Sequence, residues 1–194
     1  MKIAVDIDEV IVKFVEKYMK FVAEKGFKEV FYEDVFDYDV WNVLEIEKSL
    51  AFELFNEYND TEYFKNYDFI DGAKEGIGIL NEKHDIYFVT ARSKSIIKET
   101  CDFIFEEFGI LGNKVIFSGD IVGKEKNKDE ICRDFGIDLI IEDSGEASFS
   151  YAKGGMKVLL LDKPWNRDFS HENIIRCFNW DEILEKLEEI CENE

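Results

Sequence analysis

The chain opens with Ile3-Ala4-Val5-Asp6-Ile7-Asp8-Glu9-Val10, a short apolar run that turns acidic at its carboxyl end, and this constrains the fold more than any other stretch. A continuous apolar run of this length reads as a strand buried on both faces, which is the environment of a parallel sheet covered by helices. Two carboxylates about 4 Å apart repel by roughly 4 kcal/mol at an effective dielectric near 20, so a fold that holds them together needs a compensating charge. A divalent cation is the usual compensator. In open parallel sheets ligands bind beyond the carboxyl ends of the strands, where Asp6 and Asp8 fall. The competing reading is a turn of acids on the surface, which a chain with 44 acidic residues makes a real alternative.

From about residue 71 strand and helix patterns alternate. Strands are predicted at Asp85–Thr90, Lys114–Ser118, Asp138–Asp143 and Lys157–Asp162, joining Lys2–Asp6, with helices near Gly72–Lys83, Ser93–Phe108, Lys126–Phe135, Gly145–Lys153 and Asp181–Cys191. This predicts an α/β fold, a Rossmann-like parallel sheet flanked by helices, and right-handed crossovers bring all the strands' carboxyl ends to one edge. Residues 11–70 interrupt the alternation and hold 16 of the 29 aromatic residues. They read as an inserted helical cap, leaving 1–10 and 71–194 as the core. Most of those aromatics, such as Phe14, Tyr18, Phe21, Phe52 and Phe55, read as the packing of a small helical core.

The net charge of −20 and a pI near 4.5 argue against a polymeric nucleic-acid interface, which takes clustered Lys and Arg. An anionic substrate is also repelled at long range, so it needs a metal or a local cationic pocket. Cys101, Cys132, Cys177 and Cys191 lack CxxC spacing and have no nearby His, which argues against zinc and for thiols in a reducing compartment; the expected location is the cytoplasm. No apolar stretch approaches the length of a membrane span. His84 and His171 fall in no motif.

Three further strand ends carry polar chemistry. The strand ending at Val89 leads into Thr90-Ala91-Arg92-Ser93, a hydroxyl and amides suited to an anion, although an ordinary helix cap accounts for Thr90 or Ser93 alone. Asp138–Ile141 runs into Glu142-Asp143-Ser144, a second acidic pair. Between them Lys124-Glu125-Lys126-Asn127-Lys128-Asp129 offers an ammonium to the same edge, or a solvated helix start. An acid pair, a hydroxyl, a lysine and a second acid pair in this order are much less expected by chance than any one alone.

In these residues the chain resembles the haloacid dehalogenase-like superfamily of phosphohydrolases. The DxDx[VT] motif matches Asp6-Ile7-Asp8-Glu9-Val10, the second motif Thr90, the third a lysine that spacing assigns to Lys128, and the fourth Glu142-Asp143. Thr90-Ala91-Arg92 and Leu161-Asp162-Lys163-Pro164-Trp165-Asn166-Arg167, which looks like a D-x-P-[YW]-N-R loop, draw it closer to the 5'(3')-deoxyribonucleotidase branch. Glu9 stands where many relatives have Gly, and Glu142 replaces the first Asp of the usual pair. The resemblance implies a magnesium-dependent phosphomonoesterase acting on nucleoside monophosphates, with a sugar phosphatase as the alternative of identical core. It implies Asp6 as nucleophile and Asp8 as general acid and base. Thr90, Ala91 and Lys128 are implied at the phosphate. Mg2+ is implied on Asp6, the backbone carbonyl of Asp8, and Glu142 or Asp143, with Asp143 preferred. Trp41 and Arg92 are candidate substrate contacts, Trp41 by stacking on a base. A phospho-receiver module does not open on DxD followed by a long insertion. A dinucleotide enzyme needs G-x-G-x-x-G, which is absent, and Gly119–Glu125 is a P-loop look-alike one residue short with Glu where Ser or Thr belongs. A silent binding protein of the same fold remains the third class, although every candidate catalytic position is intact.

Overall fold

The computed structural model describes residues 1–118 and 128–193, the first two of the second stretch by backbone alone. β1 (Lys2–Val5) is followed by α1 (Val15–Glu24), α2 (Val40–Leu44), α3 (Lys48–Asn59) and α4 (Glu62–Lys65). Then come α5 (Ala73–Lys83), β2 (Asp85–Thr90), α6 (Ile97–Phe108), β3 (Val115–Phe117), α7 (Lys128–Phe135) and β4 (Leu139–Glu142). The chain closes with α8 (Gly145–Lys153), β5 (Lys157–Leu161), β6 (Ile174–Cys177) and α9 (Trp180–Glu192).

All six strands are parallel, in the order β3-β2-β1-β4-β5-β6. β1 is therefore central, flanked by β2 and β4, with Ile3 opposite Ile86 on one side and Leu139 on the other. The chain reverses direction across the sheet between β1 and β4, the place where open α/β sheets bind ligands. The strands are apolar on both faces because both are covered. Ile3, Val5, Ile86, Phe88, Leu139 and Ile141 pack with α5, α6 and α9, whereas Ala4, Val89, Ile140 and Val158 pack with α7 and α8. The period of two along each strand sorts the side chains into these layers.

The four predicted core strands and the opening strand form within a residue or two of their expected limits. β6 has no counterpart in the sequence reading. Its four residues, Ile174-Ile175-Arg176-Cys177, form an edge strand that is fully buried only at Cys177 and carries a charged Arg176.

Between β1 and β2, α1–α4 surround a separate apolar cluster of Val15, Tyr18, Phe21, Val22, Val43, Leu54 and Tyr58, completed by Ile96 and Trp165 from outside the segment. The segment leaves and rejoins the sheet at one point: Lys13 N–H donates to Asp68 C=O and Ile70 N–H to Ile11 C=O, both at 2.8 Å. Its aromatics pack on each other, as Phe14, Tyr18, Phe55 and Tyr58 do at ring separations of 4.6–6.0 Å.

Candidate active site

Asp6 extends the β1–β4 ladder by one bond, its N–H donating to Ile141 C=O at 3.0 Å. The chain then folds tightly, with Ile11 and Val12 N–H both donating to Ile7 C=O. This turn needs a left-handed residue, and Glu9 supplies it at φ 63°, a conformation unfavourable for a side chain with a Cβ. Four bonds hold Glu9 there. Its Oε1 accepts from Phe14 and Val15 N–H at 2.8 and 2.7 Å, capping α1, and its Oε2 accepts from the Tyr32 hydroxyl at 2.9 Å and the Lys163 ammonium at 3.1 Å. From the other side α9 reaches the same turn, the Trp180 indole donating to Val10 C=O at 2.9 Å. Trp180 comes this close because Gly76 on α5 lacks a side chain; a Cβ there would lie 2.3 Å from the indole.

The carboxylates of Asp6, Glu142 and Asp143, all buried, offer oxygens within 4.8 Å of one another. Glu142 Oε1 accepts from Asp143 and Ser144 N–H, both at 3.1 Å, and Ser144 caps α8. Asp143 is fixed by the 162–166 loop: the Trp165 indole donates to its Oδ2 at 3.0 Å and the Asn166 amide to its C=O at 2.8 Å. Burial, followed by the charges of Glu142 and Glu9, holds the Asp143 carboxyl well above the usual range, against the pull of Lys163 and the Trp165 indole. Three all-oxygen donors that repel one another when ionised fit a hard divalent cation such as Mg2+, which favours carboxylate and water ligands.

The Asp8 carboxylate is not a member of this cluster. It is held by Arg92, Nε to Oδ2 at 2.9 Å and Nη2 to Oδ1 at 2.8 Å. Thr90 is buried at the end of β2, its hydroxyl accepting from Arg92 N–H at 3.2 Å, and Ala91 between them is exposed. The structure thus brings Asp6, Asp8, Thr90, Ala91, Arg92, Glu142 and Asp143 to the carboxyl edge of three adjacent strands. Lys128 opens α7, and its side chain, like the whole of Lys124 and Lys126, lies outside the described residues. Trp41 is half-buried on α2, 6.1 Å from the Phe52 ring and 4.5 Å from the Lys48 ammonium.

Sequence reasoning missed three residues here. Tyr38 precedes α2, and burial and then the charges of Asp143, Asp6, Glu142 and Asp8 push its phenol far up. Nothing in the sequence separates it from the other aromatics of 11–70. Glu9 and Lys163 are the other two; the departure of Glu9 from the motif was an available signal, whereas Lys163 fills an unspecified position of its loop.

The family described as 5' nucleotidase, deoxy (pyrimidine), cytosolic type C protein matches residues 1–190. The chain belongs to this family. A nucleotidase of Clostridium acetobutylicum is 29% identical over 135 residues, 66% of this chain and 66% of that protein. A 5'(3')-deoxyribonucleotidase of Bacillus subtilis is 26% identical over 194 residues, 95% of this chain and 97% of that one. Among solved structures, a haloacid dehalogenase-like hydrolase from Streptococcus pneumoniae superposes with a TM-score of 0.70 over 96% of this chain and 97% of its own, at 12% identity. One from Deinococcus radiodurans, solved with bound phosphate and sodium, gives 0.63 over 97% and 95%, at 14%. These two share the fold. The family membership places the chain among the haloacid dehalogenase-like phosphoric monoester hydrolases. No helix among its described residues is long and apolar enough to cross a membrane.

Proposed function

We propose that the protein is a magnesium-dependent nucleotidase that hydrolyses nucleoside monophosphates through an aspartyl-phosphate on Asp6. The buried cluster of Asp6, Glu142 and Asp143 at the carboxyl end of the central strands is the observation that carries the reading. Asp6, Glu142 and Asp143 would hold the ion, joined by the backbone carbonyl of Asp8. When bound, magnesium offsets the negative charge of carboxylates and phosphate together.

The Asp6 carboxylate attacks phosphorus, forming an acyl phosphate and releasing the nucleoside oxygen, to which Asp8 gives its proton. Water then attacks the phosphoryl group and yields its proton to Asp8, restoring both carboxyl groups and releasing inorganic phosphate. Thr90 and the amide at Ala91 line the place of the phosphoryl oxygens, with Lys128 assigned there by its motif position; positioning and fixed charge do most of the work in such transfers. Residues 11–70 act as a cap over the core of 1–10 and 71–194. Closing that side excludes water during the first transfer.

A panel of nucleoside monophosphates, hexose and triose phosphates and an aryl phosphate, assayed with magnesium and with chelator, tests the proposal. The expected result is metal-dependent turnover with kcat/KM highest for nucleotides, the deoxy forms leading. Preference for a sugar phosphate over every nucleotide would remove the nucleotidase assignment and leave the phosphatase, and no turnover of any ester would remove both.

A further inference from the structure

Arg92 offers almost nothing to a substrate. Its side chain is 5 % exposed, and the guanidinium is already committed: Nε and Nη2 form the fork to Asp8, and Nη1 lies 3.4 Å from the Thr100 hydroxyl on α6. Its planar group also lies 5.2 Å from the Phe64 ring centre and 5.4 Å from that of Tyr67. Its backbone N–H closes the Thr90 turn, so the arginine is fixed at both ends. Asp8 by contrast is 26 % exposed, partly open while its two oxygens are gripped. A carboxylate has about four lone-pair sites, and a bidentate fork takes two. The remaining two can carry a proton toward a neighbouring oxygen without breaking the fork.

We infer that Arg92 is a positioning residue that aims the Asp8 carboxylate at the leaving-group oxygen, rather than a contact to substrate. This rests on the phosphatase reading above. Phe64 and Tyr67 belong to the segment inserted after β1, so the clamp on Asp8 is complete only with that segment packed on the sheet edge. The order of parts has a chemical logic. A freely rotating Asp8, when ionised, would be driven away from the phosphate by like-charge repulsion. A rigid planar cation with a fixed bond to each oxygen opposes that rotation, which a lysine's single point charge does not.

The readout is leaving-group dependence. Proton donation matters for an alkoxide leaving group such as a nucleoside hydroxyl, and hardly at all for an acidic phenol. Arg92→Lys keeps the charge and loses the fork. In Arg92→Lys, kcat/KM for a nucleoside monophosphate should fall by roughly 30-fold or more, a partial loss of the roughly 10²–10⁴-fold that a general acid contributes, while that for 2,4-dinitrophenyl phosphate falls less than about 3-fold. The slope of log kcat/KM against leaving-group pKa then steepens, and inhibition by inorganic phosphate stays unchanged. A parallel loss across the ester series, or a weakened phosphate inhibition accompanying it, would overturn the assignment in favour of general structural support or a phosphate ligand. If the unaltered protein hydrolyses no ester, the phosphatase reading fails by itself, and crystal structures of Arg92→Lys and Arg92→Met decide the positioning claim. Asp8 turned from its place upholds it, and Asp8 unmoved in both overturns it.

Discussion

Replacing Glu9 by Gln tests whether the turn that presents Asp6 and Asp8 is held by charge. Gln keeps the volume and leaves an acceptor for Phe14 and Val15 N–H, so the cap of α1 survives. The Tyr32 hydroxyl keeps a partner too. What disappears is the ion pair with Lys163, whose side chains are 4 % and 8 % exposed, leaving an ammonium buried without its main counter-charge. Breaking a buried pair by removing one partner costs about 3–5 kcal/mol. Here two effects soften it, since Lys163 still faces Asp143 and the repulsion of Glu9 on Asp143 is relieved. The expected loss is therefore about 3 kcal/mol, the low end for such pairs. For a chain of this size that corresponds to a fall in Tm of roughly 6–12 °C. Urea unfolding followed by circular dichroism, with chelator present, gives the free energy directly. The double variant Glu9→Gln with Lys163→Met removes the stranded charge and should recover at least about half of the loss, because both partners of a buried pair can be replaced together at little cost. A single variant within about 0.5 kcal/mol of the unaltered protein, the range of an ordinary surface change, would refute the reasoning. So would a double variant less stable than the sum of the two singles.

Asp6→Asn should abolish turnover and the trapped phosphoenzyme, and Asp8→Asn should lower kcat by at least ~10²-fold in a steady-state assay; full activity in Asp6→Asn contradicts the covalent route. Magnesium should raise the Tm of the unaltered protein and leave that of Asp143→Ala unmoved, as expected for an ion that binds only the folded state through Asp143; a surviving shift places the ion elsewhere. In the metal-free protein the folded-state pKa of Asp143 is raised, so the folded form holds its proton longer than the unfolded chain does. Stability should therefore decline as pH rises from the ordinary carboxylate range through the raised folded value, and Asp143→Asn should flatten that decline in urea titrations across pH. Trp41→Ala is expected to raise KM for a nucleotide by an amount within the roughly 1–3 kcal/mol of base stacking and to spare an aryl ester; equal losses on both assign Trp41 to packing against Phe52.

The core was legible because its information is local. Apolar runs such as Ile3–Val5 and Leu139–Ile141 announce strands covered on both faces, parallel strands send their carboxyl ends to one edge, and Asp6, Thr90, Glu142 and Asp143 each directly follow or end such a run. The sequence therefore determined which residues share the edge before any coordinate was known. It was silent on pairings across long separations. That Arg92 grips Asp8 rather than projecting outward, that Lys163 neutralises Glu9 across 154 residues, and that the Trp165 indole bonds Asp143 depend on where loops return in space. Strand β6 was invisible for a related reason, since its residues, half-covered but for the buried Cys177, gain their strand form from β5 beside them. Backbone periodicity writes the scaffold into consecutive residues, whereas a side chain's partner is chosen by burial and charge among groups that meet only when the chain has folded.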